Sequence, residues 1–174
     1  MSGVWKKLGW SLAGLLLLGC GRGVMPPSRE AGVFAKYRDA FVTYAGKYGV
    51  DSMGADTFPI EFGTPTEDSA VAECRVDLVH GKRIVVRESS WKGYSEDSKQ
   101  SLLLHELGHC VLRRVHRSDV VINPTKSPTA VLPPNEAPAS LMNPKFVPGD
   151  TYRAYQEFYL KELFSAEFRP SLQP

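Results

Sequence analysis

His105-Glu106-Leu107-Gly108-His109 decides how this 174-residue chain is read. On a helix, a spacing of i, i+4 puts His105 and His109 one turn apart and pointing the same way. Glu106 follows the first imidazole, so it can face a water at a metal without occupying the metal. Two imidazoles and a neighbouring carboxylate are what zinc-dependent hydrolysis requires. With four His in the chain, a shuffled sequence would contain H-E-x-x-H about once in two hundred. The pattern is therefore specific, but it provides two ligands where a catalytic zinc site takes three from the protein. Its carrier helix is well marked. Ser95 suits the N-cap, Glu96 and Asp97 the positive end, and Arg113 and Arg114 the negative end. Leu102, Leu103, Leu107 and Val111 supply a core face, so a helix is expected from 96 to 113 or 114.

Outward from that helix, Arg83 to Arg87 has the β-branched character of a strand, entered through a His80-Gly81-Lys82 turn. His80 beside Gly81 is a turn residue rather than a ligand. Ala70–Val79 and Phe58–Phe62 read as two more strands. From Arg29 to Tyr48, Val33, Phe34, Tyr37, Phe41, Tyr44 and Tyr48 recur at steps of three and four, an amphipathic helix that Gly49 can end. Downstream, Pro124, Pro128, Pro133, Pro134 and Pro138 exclude regular structure over 123–140, a loop long enough to be functional or mobile. A last helix is expected over 151–164, packing through Tyr155, Phe158, Tyr159 and Leu160. The pattern is α+β: one domain over 31–174 with a small mixed sheet, an N-terminal helix, the motif helix and a C-terminal helix.

The first twenty residues read as an address. Lys6 and Lys7 precede an apolar run, Leu12 to Leu18, too short to span a bilayer and suited to a signal-peptide core. It ends in Leu17-Leu18-Gly19-Cys20, which resembles the lipobox of bacterial lipoproteins. The resemblance implies a signal peptide over 1–19, lipid on Cys20, and a tether over 20–30 that attaches the domain to a membrane. It also implies a cell-envelope location, on the outer membrane facing the periplasm in a Gram-negative source, because Gly21 rather than Asp follows the Cys. A plain signal peptide or a weak membrane anchor is the alternative. Removal of 1–19 leaves 155 residues, enough for one core. It also takes the formal charge from +2 to zero, and no basic block remains to suggest nucleic acid. With Cys20 lipidated, Cys74 and Cys110 are left as a candidate disulfide in an oxidising compartment, or else as two buried thiols. Cys110 is rotated by about 100° from His109 around the helix, which turns it away from the metal.

Beyond His109 the chain continues Cys110-Val111-Leu112-Arg113-Arg114-Val115-His116-Arg117-Ser118-Asp119, and later reads Ala139-Ser140-Leu141-Met142-Asn143-Pro144. With these segments it resembles the metzincin group of zinc endopeptidases, whose motif H-E-x-x-H-x-x-G-x-x-H is followed by a Met-containing turn beneath the metal. Two departures stand out. Leu112 occupies the position of the motif's Gly, and His116 falls one residue late. Extending the last helical turn absorbs the extra residue if Arg113 or Arg114 takes the left-handed conformation, at about 1 kcal/mol. His116 is the expected third ligand. Asp119 is the alternative, and Glu136 or no third protein ligand is a further one.

The resemblance implies a zincin-like domain with Zn²⁺ on His105, His109 and His116, and Glu106 as general base. It also implies Met142 as the hydrophobic base of the site and a peptide or protein substrate bound along an edge strand over 83–88. The expected activity is peptide-bond hydrolysis. Its rivals are a zinc-binding envelope lipoprotein without catalysis, acting as scaffold or binding module, and a structural domain without metal.

Overall fold

The computed structural model describes residues 31–122 and 136–165. The expected signal peptide, Cys20 with its tether, and residues 123–135 of the Pro-rich stretch lie outside the described residues.

Helix α1 (Ala31–Lys47) buries Phe34, Tyr37, Phe41 and Ala45 at steps of three and four. Phe34 meets Trp91 edge-on with centroids 5.0 Å apart, and Phe41 packs on Phe164 at 5.3 Å. Val33 does not join this stripe and is 44% exposed. It lies one residue, hence about 100°, away from Phe34 around the axis. Gly49 takes a left-handed φ of 66° just past the helix end, as expected of a terminating glycine.

Strands β1 (Ile60–Phe62), β2 (Ala72–Asp77) and β3 (Gly81–Val86) form a mixed sheet in the order β1-β3-β2. β2 and β3 are an antiparallel hairpin, and β1 runs parallel to β3. β3 is therefore the central strand, which corrects the expectation of an open edge over 83–88. The reason lies in its residues. Ile84, Val85 and Val86 are all buried, and a continuous apolar run is stable only when covered on both faces and paired on both sides. The exposed edges are β1 and β2. A short helix not foreseen from sequence, α2 (Glu88–Gly93), then seats Trp91 in the core.

α3 (Glu96–Cys110) carries the motif. Ser95 caps it by accepting from the Ser98 amide at 3.2 Å. Leu102, Leu103, Leu104 and Leu107 are buried against the rest of the core. β4 (Val120–Ile122) and β5 (Glu136–Pro138) pair antiparallel, so 136–138 is regular structure after all. Pro138 faces Val120 at the end of that ladder, where a residue without an N–H is tolerated. The expected last helix is broken at Tyr155 (φ −120°, ψ 27°) into α4 (Gly149–Ala154) and α5 (Gln156–Leu163). Gly149 lets α4 meet the start of α3. A Cβ there would lie 2.4 Å from the Ser98 backbone nitrogen, and the Gly149 amide donates to Ser98 Oγ at 3.1 Å. Helices around this small mixed sheet make one α+β domain. Among the described residues no helix is long and apolar enough to cross a membrane.

Candidate metal centre

The motif helix stops at Cys110, and the chain reverses through Val111, Leu112 and Arg113. Arg113 has φ 55°, the one non-glycine residue with positive φ among those described. The Arg114 amide then donates to the Gly108 carbonyl at 3.0 Å, one residue further back than a Schellman closure reaches. This wider turn accommodates the extra residue, and Arg113 takes the strain expected of a side chain in that conformation. The reversal brings His116 back to the motif.

The three imidazoles converge. His109 Nε2 lies 3.0 Å from His105 Nε2 and 3.1 Å from His116 Nε2. Among the described residues, these three are the group of His, Cys, Asp or Glu whose donor atoms could jointly hold a metal ion. Asp119 is not part of it, because Arg117 engages both its carboxylate oxygens at 2.7 Å. The Glu136 side chain lies outside what is described. His80 sits in the β2–β3 turn, its amide donating to Asp77 Oδ1 at 2.7 Å. Cys110 is bonded to Cys74, with Cα atoms 5.6 Å apart. This disulfide fastens edge strand β2 to the last residue of the motif helix. The helix terminus gains a cation as well, since Lys82 Nζ donates to the Cys110 carbonyl at 2.9 Å.

Each motif imidazole is oriented by a backbone carbonyl, on the side away from the cluster. His105 Nδ1 lies 2.6 Å from the Leu141 carbonyl, and His109 Nδ1 lies 2.7 Å from that of Arg114. A carbonyl only accepts, so in both rings Nδ1 carries the proton and Nε2 presents its lone pair. Burial lowers the pKa of His105 to about 4, helped by His109 and His116, against the opposing Leu141 carbonyl. His109 is lowered chiefly by burial too. Both rings are therefore neutral at physiological pH, the state in which imidazole binds metal.

Met142 packs directly beneath the helix between the turns of His105 and His109. A Cβ on Gly108 would lie 2.6 Å from its Sδ, so the second variable position of the motif accepts only glycine unless Met142 moves. Met142 is fully buried, and its amide donates to Ser140 Oγ at 2.9 Å.

Glu106 is 5% exposed. Burial, chiefly, pushes its carboxyl up to about 8; the Cys74 amide it accepts from pulls down, and Glu73 pushes up. It lines a cleft of about 670 Å³ between β2 and α3, together with all three His. Val71, Ala72, Leu102, Pro144 and Phe146 give that cleft apolar walls.

Sequence reasoning missed the carbonyls of Leu141 and Arg114, which no side-chain pattern marks. It also missed Glu162, a carboxylate 6% exposed among Tyr159, Leu160 and Leu163 on α5. A Glu on the apolar face of a short helix was the available signal. Comparison with protein-family models found no match, and comparisons with curated proteins and with solved structures found none either.

Proposed function

We propose that the chain is a zinc metallopeptidase of the metzincin kind. The observation that carries this reading is a pair of facing lone pairs. The carbonyls at Nδ1 leave the Nε2 atoms of His105 and His109 unprotonated, yet these lie 3.0 Å apart with a third imidazole nitrogen at 3.1 Å. Such an arrangement is repulsive unless a cation sits between the nitrogens. Tetrahedral zinc bonded to nitrogen at 2.0–2.1 Å separates its ligands by about 3.3 Å, close to these spacings. Three imidazoles are also the protein donor set of a catalytic rather than a structural zinc, one that leaves a fourth position for water.

Bound zinc would supply a Lewis acid that acidifies water and stabilises developing negative charge. The chain's own residues do the rest. Burial holds the Glu106 carboxyl up at about 8 in the metal-free chain. Its ionised form, which the positive charge of bound zinc would favour, accepts the proton of the attacking water and returns it to the leaving amine. The Leu141 and Arg114 carbonyls fix the ring planes of His105 and His109. The cleft-side edge is β2, so an extended peptide would lie along Ala72–Asp77 rather than along 83–88. The apolar walls would exclude water from the scissile bond.

For location, we keep the proposal of an envelope protein anchored through lipid on Cys20. The lipobox-like Leu17-Leu18-Gly19-Cys20 supports it. So does the Cys74–Cys110 disulfide, a bond of oxidising compartments.

Hydrolysis of a fluorescently labelled unfolded polypeptide tests the activity. Cleavage should stop when a chelator strips the metal and return with one equivalent of zinc. A zinc-loaded chain that cleaves no member of a broad peptide library would overturn the reading.

A further inference from the structure

We propose that Glu162 is a positioning residue that sets the geometry of the metal centre from outside it. The inference rests on the metal-binding part of the function proposed above, and not on peptide hydrolysis. The two carbonyls that orient His105 and His109 belong to separate segments, the reversal after α3 and the turn that carries Met142. One buried carboxylate joins them. Glu162 Oε1 is ion-paired with the Arg114 guanidinium, both side chains being at most 6% exposed. Glu162 Oε2 accepts from Ser140 Oγ at 2.6 Å. Ser140 in turn receives the Met142 amide. Arg114 also donates to the Glu162 and Leu163 carbonyls.

The same carboxylate reaches the third ligand's segment. Arg117 Nη1 lies 3.5 Å from Glu162 Oε1, and the Arg117 amide donates to the Met142 carbonyl at 2.8 Å. His116 is the residue immediately before it. The two segments that orient His105 and His109 and the segment that carries His116 are thus held to one side chain on α5. A buried ion pair is weak evidence for stability, and fixing registry is its best-attested use. Partners bonded directly to metal ligands change metal affinity about 10- to 100-fold, and Glu162 acts through the residues that hold such partners.

The test uses Co²⁺ binding to the metal-free, full-length chain, followed by chelator competition and by the visible ligand-field spectrum. Glu162→Gln should weaken Co²⁺ binding 10- to 100-fold and alter the spectrum, measured at a temperature where circular dichroism shows it folded. Leu160→Ala, a core change on the same helix, should lower thermal stability and leave both readouts as in the wild type. Ser140→Ala, which keeps the ion pair and breaks one arm, should weaken binding about 10-fold and serves if Glu162→Gln does not fold. Affinity within twofold of wild type and an unchanged spectrum in the folded variants would overturn the proposal while leaving the metal centre standing. A wild-type chain that binds no Co²⁺ would overturn both. Co²⁺ binding without peptidase activity would overturn only the proposed activity.

Discussion

Glu106→Gln should keep the metal and lose the reaction, with kcat falling by about 10²–10⁴ as expected for loss of a general base. Glutamine has the same shape and still accepts from the Cys74 amide through its carbonyl oxygen. It cannot take a proton from water. Because Glu106 is not among the three convergent donors, metal affinity should stay near that of the wild type. The substitution also carries a pH signature in the metal-free protein. Folding raises the Glu106 pKa from 4.5 to about 8. As pH rises through this window the unfolded chain ionises first, so it binds fewer protons than the folded chain and the folded state loses stability. The Gln variant has no such group, so its advantage over wild type should be absent at pH 4 and grow until about pH 8. Denaturant titrations across that range measure it, and parallel pH profiles for the two proteins would contradict it. A zinc-binding scaffold without catalysis would show no functional change at all in Glu106→Gln.

Replacing Cys74 and Cys110 together by Ser should destabilise the domain by about 3–4 kcal/mol. The bridge closes a separation of 36 residues, and the chain-entropy model gives that magnitude for such a loop. The constraint also has a local consequence. It joins β2, the cleft's edge strand, to the end of the helix that bears His105 and His109, so its loss frees one wall of the cleft relative to the other. Thermal melts of the oxidised protein and of the double variant measure the stability difference. A difference below about 1 kcal/mol would mean that the bridge contributes little beyond the packing of α3.

What the sequence disclosed follows a physical divide. Local signals were readable: the Ser95 cap, the four-residue spacing of His105 and His109, the aromatic stripe on α1 and the turn at His80-Gly81. So was a left-handed residue after Leu112, expected at Arg113 or Arg114, although the helix stops at Cys110 instead of extending. Arg113 is the residue that takes that conformation. Features decided by distant partners were not readable. β3 became central because β1 pairs on its far side, a contact between residues more than twenty apart. The break at Tyr155 has no breaker residue; it coincides with the docking of Gly149 against Ser98, remote in sequence. Glu136–Pro138 became a strand only by pairing with β4. α2 is too short, at six residues, to display a helical period. The convergence of His105, His109 and His116 was legible because it involves side chains, whereas the orientation of His105 and His109 by Leu141 and Arg114 was hidden because backbone carbonyls leave no trace in residue identity.

Zinc titration of the metal-free chain tests the central claim most directly, with His116→Ala and Asp119→Ala beside the wild type. The wild type should bind one zinc per chain, Asp119→Ala should bind it equally well, and His116→Ala should bind it at least tenfold more weakly. No stoichiometric zinc in the wild type, or undiminished affinity in His116→Ala, would contradict the three-histidine centre.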